Sequence, residues 1–245
     1  MNDLQKMAQE KSVLQWGGLA GVLGGIIFIL VFVIVGVFAG LEPVGVMNYP
    51  DVKTALKVGD SLYLVVIILW VIHFLALYRA LRETSLTPAL FGSVLSILGL
   101  VVLAVDSLHF PWQTAISDLY HAPGATLADQ ATLVLVWQAT QGIFSSFLGT
   151  GLFLLPIGVI ALGAAMLGAP AFGKGLGWMT VTIGVVSLVA TTVFLVDPPS
   201  SVIAFGVFGL IVFHLVLGWK VYRLSKASQE KGMVRRAEGF AAGQR

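Results

Sequence analysis

Six long apolar stretches, separated by short polar segments, organise the chain: 13–40, 61–81, 88–110, 132–167, 176–196 and 201–222. Each is long enough to cross a bilayer core, which takes about 20 mostly apolar residues in a helix. The first stretch could pass for a secretory leader, with Val37-Phe38-Ala39 as a cleavage site. Its apolar run is about twice a typical leader core, so it reads as a retained helix. The expected fold is all-α: a polytopic membrane bundle of six transmembrane helices over 1–224, followed by a polar, basic tail over 225–245.

Local signals mark the helix ends. Thr87-Pro88 offers a cap and a first-turn proline for the third helix. Asp60 reads as the N-cap of the second. Asp197-Pro198-Pro199-Ser200-Ser201 ends the fifth and caps the sixth. Gly17, Gly21 and Gly25 repeat every four residues in the first helix, a spacing that lets a second backbone approach closely. Within this sequence the neighbour could be another helix of the chain, a membrane protein partner or a second copy in a homo-oligomer. A weak echo links Ala76-Leu77 through Phe91-Gly92 with Ala161-Leu162 through Phe172-Gly173, and an interfacial Tyr-Arg pair ends helices two and six.

Composition removes the alternative of a soluble fold. Of 245 residues, 58% are hydrophobic and 11% charged, with a mean hydropathy of +0.95; soluble domains carry about 25% charged residues. Cysteine is absent, which excludes disulfides, thiolate metal sites and covalent c-type haem. The charges are sorted by side. With the N-terminus inside, Lys6, Lys11, Arg79, Arg82, Lys174, Lys220, Arg223, Lys226, Lys231, Arg235, Arg236 and Arg245 fall on the inner side, and only Lys53 and Lys57 outside. That bias predicts both termini in the cytoplasm. Glu42, Asp51, Asp60, Asp106, Asp118, Asp129 and Asp197 fall at or beyond the outer boundary, giving an acidic face that would attract cations. The basic residues lie at membrane edges and in the tail, where they can touch anionic headgroups; nothing suggests nucleic-acid binding.

The segments Leu77-Tyr78-Arg79-Ala80-Leu81-Arg82, Pro170-Ala171-Phe172-Gly173-Lys174-Gly175-Leu176-Gly177-Trp178 and Leu217-Gly218-Trp219-Lys220-Val221-Tyr222-Arg223-Leu224 resemble a family of six-helix prokaryotic membrane proteins catalogued as a domain of unknown function. The likeness runs from the first helix to the last. It implies six helices and a plasma (inner) membrane location, and it implies no activity and no site residues.

Three constellations carry candidate chemistry. At the outer end, Asp106 and His109, then Asp118 and His121, are paired at i, i+3 and could present carboxylate and imidazole to one divalent metal, joined by Asp60 and Asp197. The residues 111–130 between helices three and four include Trp112, Ile116, Leu119 and Tyr120, which suit a short interfacial helix over the bundle's mouth. Inside the membrane, His73 and His214 should lie at equal depth in two helices running the same way, about 18–20 Å from the outer end. They could be axial ligands of a b-type haem with Arg79, Arg82, Lys220 and Arg223 near its propionates, a proton relay, or hydrogen-bonding glue between helices. In helix four, Gln138, Gln141 and Ser145, with Thr150 and Pro156 further down, should face the bundle interior and line a cavity, a quinone pocket or a seam.

No Ser-His-Asp constellation or phosphate loop is present. Three functional classes therefore remain: a subunit or accessory component of a membrane complex with a lipid or quinone pocket, a transporter entered from the acidic face, and a haem- or metal-bearing redox protein.

Overall fold

The computed structural model describes residues 3–40, 44–196 and 202–242, with side chains described over 9–40, 44–196 and 202–226. The described residues form seven helices: α1 (Asp3–Phe38), α2 (Tyr49–Leu81), α3 (Leu86–Asp106), α4 (His109–Tyr120), α5 (Leu127–Leu167), α6 (Gly173–Val196) and α7 (Ile203–Ala242). Six spans are long and apolar enough to cross a membrane, α3 and α4 counting as one. The protein is a multi-pass, all-helical membrane protein.

The six spans close into a ring in the order α1, α2, α3, α5, α6, α7 and back to α1. Glycines set the distances between them. Burying apolar surface gives no drive when lipid is the solvent, so close backbone contact must supply the attraction. Gly18 of α1 and Gly218 of α7 face each other: a Cβ on Gly18 would meet the Gly218 carbonyl at 2.8 Å, and one on Gly218 would meet the Gly18 carbonyl at 2.8 Å. Gly99 and Gly151 form the equivalent contact between α3 and α5, each 2.9 Å from the other's carbonyl by the same construction. Gly17, Gly21 and Gly25 are taken up inside the chain, against Ala76, His73 and Leu215. A partner or second copy would have to meet α1 on its outward face, where Leu23, Ile26, Leu30 and Val33 are exposed.

The contacts also fix direction. Gly18 lies beside Tyr222 and Gly25 beside Leu215, so α1 and α7 are antiparallel and the described ends of the chain share one face of the ring. Lys11, Arg79, Arg82, Lys174, Lys220, Arg223 and Lys226 lie at that basic end. Exposed Trp16, Trp178 and Trp219 ring the same end, as amphipathic indoles do at a membrane surface.

Two helices outgrow the bilayer at the opposite end. α3 has 21 residues, about 31 Å at 1.5 Å per residue, which matches a hydrocarbon core of about 30 Å. α2 has 33 residues and α5 has 41, about 50 and 61 Å. The excess of α2 and α5 packs with α4 into a cap around a separate core of Val46, Tyr49, Ile116 and Trp137. Tyr49 and Trp137 meet edge to face at 5.3 Å, and the Tyr49 hydroxyl lies 3.0 Å from Thr114 Oγ1. Lys53 donates to Asp118 at 2.8 Å.

The helix boundaries correct several expectations. Most of 111–130 is indeed helical, as the end of α4 and the start of α5, leaving a short connection. α5 begins behind a capping box in which Thr126 and Asp129 bond each other's backbone. α3 is preceded by Ser85, with no side-chain cap from Thr87. Asp60 is not an N-cap: α2 starts at Tyr49 and Asp60 sits within it. α7 continues past Tyr222 to Ala242. Asp197 and the Pro198-Pro199-Ser200-Ser201 turn, like Glu42, lie outside the described residues.

Candidate functional site: a histidine pair inside the bundle

Trp70, His73, Phe74 and Leu77 fall on one face of α2, all buried at the junction with α1 and α7. Opposite them α7 presents Phe213 and His214. The two imidazoles are fully enclosed, at 0% exposure each, with ring centres 5.2 Å apart and planes inclined by 59°. The structure thus brings His73 and His214 together, at the level of Gly21 of α1. Gly21 is what allows it: a Cβ there would lie 2.6 Å from His73 Nδ1.

The chemistry of each ring follows from its partners. His73 Nδ1 lies 2.9 Å from the Gly17 carbonyl oxygen. A carbonyl only accepts, so Nδ1 carries the proton and Nε2 holds the lone pair. That Nε2 has no hydrogen-bond partner among the described residues, and neither does Nδ1 or Nε2 of His214. His214 instead sits in an aromatic box. Trp70 stacks on it at 3.9 Å and 7°, Phe74 meets it at 5.2 Å and 80°, and Phe213 at 4.9 Å and 89°. Aromatic faces attract a cation, and more strongly when water is excluded. The Trp70 face covers one side of the His214 ring, where it would attract an imidazolium.

A bis-histidine haem does not fit this packing. A macrocycle between the rings needs an open slot across both imidazoles. Trp70 already occupies a face of His214, and Phe74 and Phe213, both fully buried, flank the pair. Of the cations expected near propionates, Arg79 is paired with Glu10 of α1.

The outer Asp–His pairs do not converge. His109 and His121 lie at opposite ends of α4, about 18 Å apart along its axis. Both ring nitrogens turn back to their own backbone: His109 Nδ1 to the Asp106 carbonyl at 2.7 Å and His121 Nδ1 to the Ser117 carbonyl at 2.8 Å. Asp118 is ion-paired with Lys53. Among the described residues no group of three metal-ligating side chains comes together.

The polar stripe of α5 also departs from expectation. Gln138 and Ser145 are exposed, and Gln141 is half-buried, its amide reaching the Val44 carbonyl at 3.4 Å. These residues lie on the part of α5 that rises into the cap, so they line no cavity inside the ring. Pro156, by contrast, is buried where α5 meets α6. The sequence reading missed Trp70 as a site residue. Its signal was present, because Trp70 precedes His73 by three positions and therefore shares its helix face.

No protein-family profile, no curated protein and no solved structure matches this chain.

Proposed function

We propose that this protein is a proton-relaying transporter of the plasma membrane, in which the His73–His214 pair takes up and releases the proton partway across. The basic end, with both termini, faces the cytoplasm in this reading, and the cap faces outward. The observation that carries it is the bonding of His214. A histidine serving as glue between membrane helices spends its nitrogens on cross-helix hydrogen bonds. His214 makes none among the described residues, although it is fully buried. Leaving a buried donor or acceptor unmade costs about 1–3 kcal/mol. An intramembrane ionisable group kept at such a cost, beside a second imidazole with a free lone pair, suits a site whose partner is a proton.

The test uses purified full-length protein in liposomes that enclose a pH-sensitive dye, with a proton gradient and a potassium diffusion potential imposed. Internal acidification should exceed that of protein-free vesicles and fall to their level in His73→Phe and His214→Phe. Wild-type rates equal to those of empty vesicles would overturn the reading, as would variants that conduct like the wild type.

A second reading, an accessory component of a larger membrane complex, is favoured by one observation. Leu135, Gln138, Ile143 and Ser145 of α5 are exposed together on the cap. It predicts co-purification of a stoichiometric partner that Gln138→Arg releases.

A further inference from the structure

We propose that α5 hinges at Pro156 and that the Thr191 hydroxyl of α6 is the latch. Bonded to the Leu152 carbonyl, it holds the outer arm of α5 against α6; turned back to the Ser187 carbonyl, it lets the arm swing away. The device rests on contacts among α3, α5, α6 and α7 and is independent of the relay reading above.

The hinge begins with a missing hydrogen. α5 runs from Leu127 to Leu167 with Pro156 inside it. Proline has no backbone N–H, and its ring crowds the carbonyl four residues earlier, here that of Leu152. In a membrane such a freed carbonyl is met by Ser or Thr side chains and neighbouring helices. Thr191 of α6, 2% exposed, does this: its Oγ1 lies 3.1 Å from the Leu152 carbonyl oxygen. The same Oγ1 lies 2.9 Å from the Ser187 carbonyl oxygen, one turn back on its own helix. A hydroxyl has one proton to donate, so each carbonyl holds it at the other's expense. The Ser187 carbonyl does not depend on it, because the helical pattern of α6 supplies the Thr191 amide. Thr191 can therefore release Leu152 without being left unpaired, which a staple with a single acceptor could not do.

Packing differs on the two sides of Pro156. On the inner side the backbone of α5 is locked. A Cβ on Gly158 would meet the Gly92 carbonyl of α3 at 2.5 Å, and one on Gly163 would meet the Gly177 carbonyl of α6 at 3.0 Å. At the proline itself, a Cβ on Gly184 of α6 would lie 3.0 Å from the Pro156 carbonyl. α6 is pinned in turn to α7, where Ser187 Oγ donates to the Gly206 carbonyl at 3.0 Å. On the outer side α5 stays on α3 through Gly99 and Gly151. Toward α6 it has the Thr191 hydrogen bond, and beyond that the flexible Leu195 side chain lies on Gly149. Farther out, Ala139, Gly142 and Ser146 are exposed.

These contacts set the direction of motion. Gly99 and Gly151 are the fulcrum, and release of Thr191 parts α5 from α6 while α5 remains on α3. The arm from Leu127 to Pro156 is about 44 Å long, so a bend of about 10° carries its tip about 8 Å. The cap core shifts with the arm. Trp137 of the arm is buried there with Tyr49 and Ile116, and Gln130 Nε2 donates to the Tyr120 carbonyl at 3.3 Å. The parted seam opens toward the outer side, where water replaces Thr191 on the Leu152 carbonyl.

The chain has no cysteine, so spin labels can be placed at chosen positions alone. Double electron–electron resonance on full-length protein in liposomes reads the arm against α6 from labels at Gln138→Cys and Val189→Cys, both exposed positions. Labels at Val101→Cys and Val189→Cys read α3 against α6 as a reference. The otherwise unchanged chain should show a main arm distance and a minor longer one. Gln138 lies about 27 Å along the axis from Pro156, so a bend of about 10° lengthens the distance by about 5 Å. Thr191→Val keeps the shape and removes the donor, so the longer distance should become the main one. Thr191→Ser should behave like the unchanged chain, and the reference distance should hold in every variant. Adding Pro156→Ala to Thr191→Val restores an amide for the Leu152 carbonyl and should return the arm to the shorter distance. A Thr191→Val distribution equal to that of the unchanged chain overturns the latch, as does a longer distance that Pro156→Ala leaves in place. If Thr191→Val fails to fold, Pro156→Ala alone decides: loss of the minor distance supports the hinge, and its persistence overturns it.

Discussion

Replacing Gly21 by alanine tests whether the close approach of α1 creates the histidine site. The added methyl would lie 2.6 Å from His73 Nδ1 and 2.9 Å from both Cε1 and Cγ. Carbon contacts are comfortable at about 3.5–4.0 Å, so the imidazole must withdraw from α1 by about 1 Å. It cannot do so freely, because Phe213 and His214 stand close on its other side, with ring centres 6.2 and 5.2 Å away. The hydrogen bond from Nδ1 to the Gly17 carbonyl is lost with the movement. Overpacking costs about 1–3 kcal/mol and the hydrogen bond about 0.5–1.5 kcal/mol. Alanine's better helix propensity returns up to about 1 kcal/mol. The net expectation is a loss of about 1–3 kcal/mol in the unfolding of detergent-solubilised protein, followed by tryptophan fluorescence. The control is Gly142→Ala in α5, where nothing lies within 4 Å of the new Cβ; it should be neutral or stabilising by up to about 1 kcal/mol. Truncating the ring in a Gly21→Ala, His73→Ala double variant removes the clash, so the two effects should fail to add by about 0.5–3 kcal/mol. Wild-type stability in Gly21→Ala, or simple additivity in the double variant, would refute this account of how α1 holds the imidazole.

Two further outcomes follow from the same packing. Purified, reduced protein should show no haem Soret band, since Trp70 covers His214 and leaves no slot; a band that His73→Ala or His214→Ala abolishes would reverse that conclusion. Thr126→Ala breaks the capping box that starts α5, at a cost of about 0.5–2 kcal/mol, and should raise hydrogen exchange at the cap end of α5 while the amides around Gly158 keep their protection.

Much of this molecule could be read from the order of its residues. Span number, the sorting of basic residues to one end and the equal depth of His73 and His214 all depend on quantities that add along a chain: transfer free energy, length and rise per residue. What the order could not supply is which way each helix turns about its own axis. In a soluble protein the apolar face of a helix points inward, but here lipid and bundle interior are both apolar, and the contrast that would orient a helix is weak. The polarity of Gln138 and Ser145 suggests that they look inward, yet both are exposed. The Asp–His spacings suggested one metal site, and the straightness of α4 keeps its two histidines apart. Asp60 looked like a cap because the apolar run starts after it, whereas α2 begins eleven residues earlier. Tertiary structure alone decided that α1 would lay Gly21 against His73 and that Trp70 would stack on His214. These contacts join residues far apart in sequence through backbones that glycine allows to touch, and no local pattern encodes them.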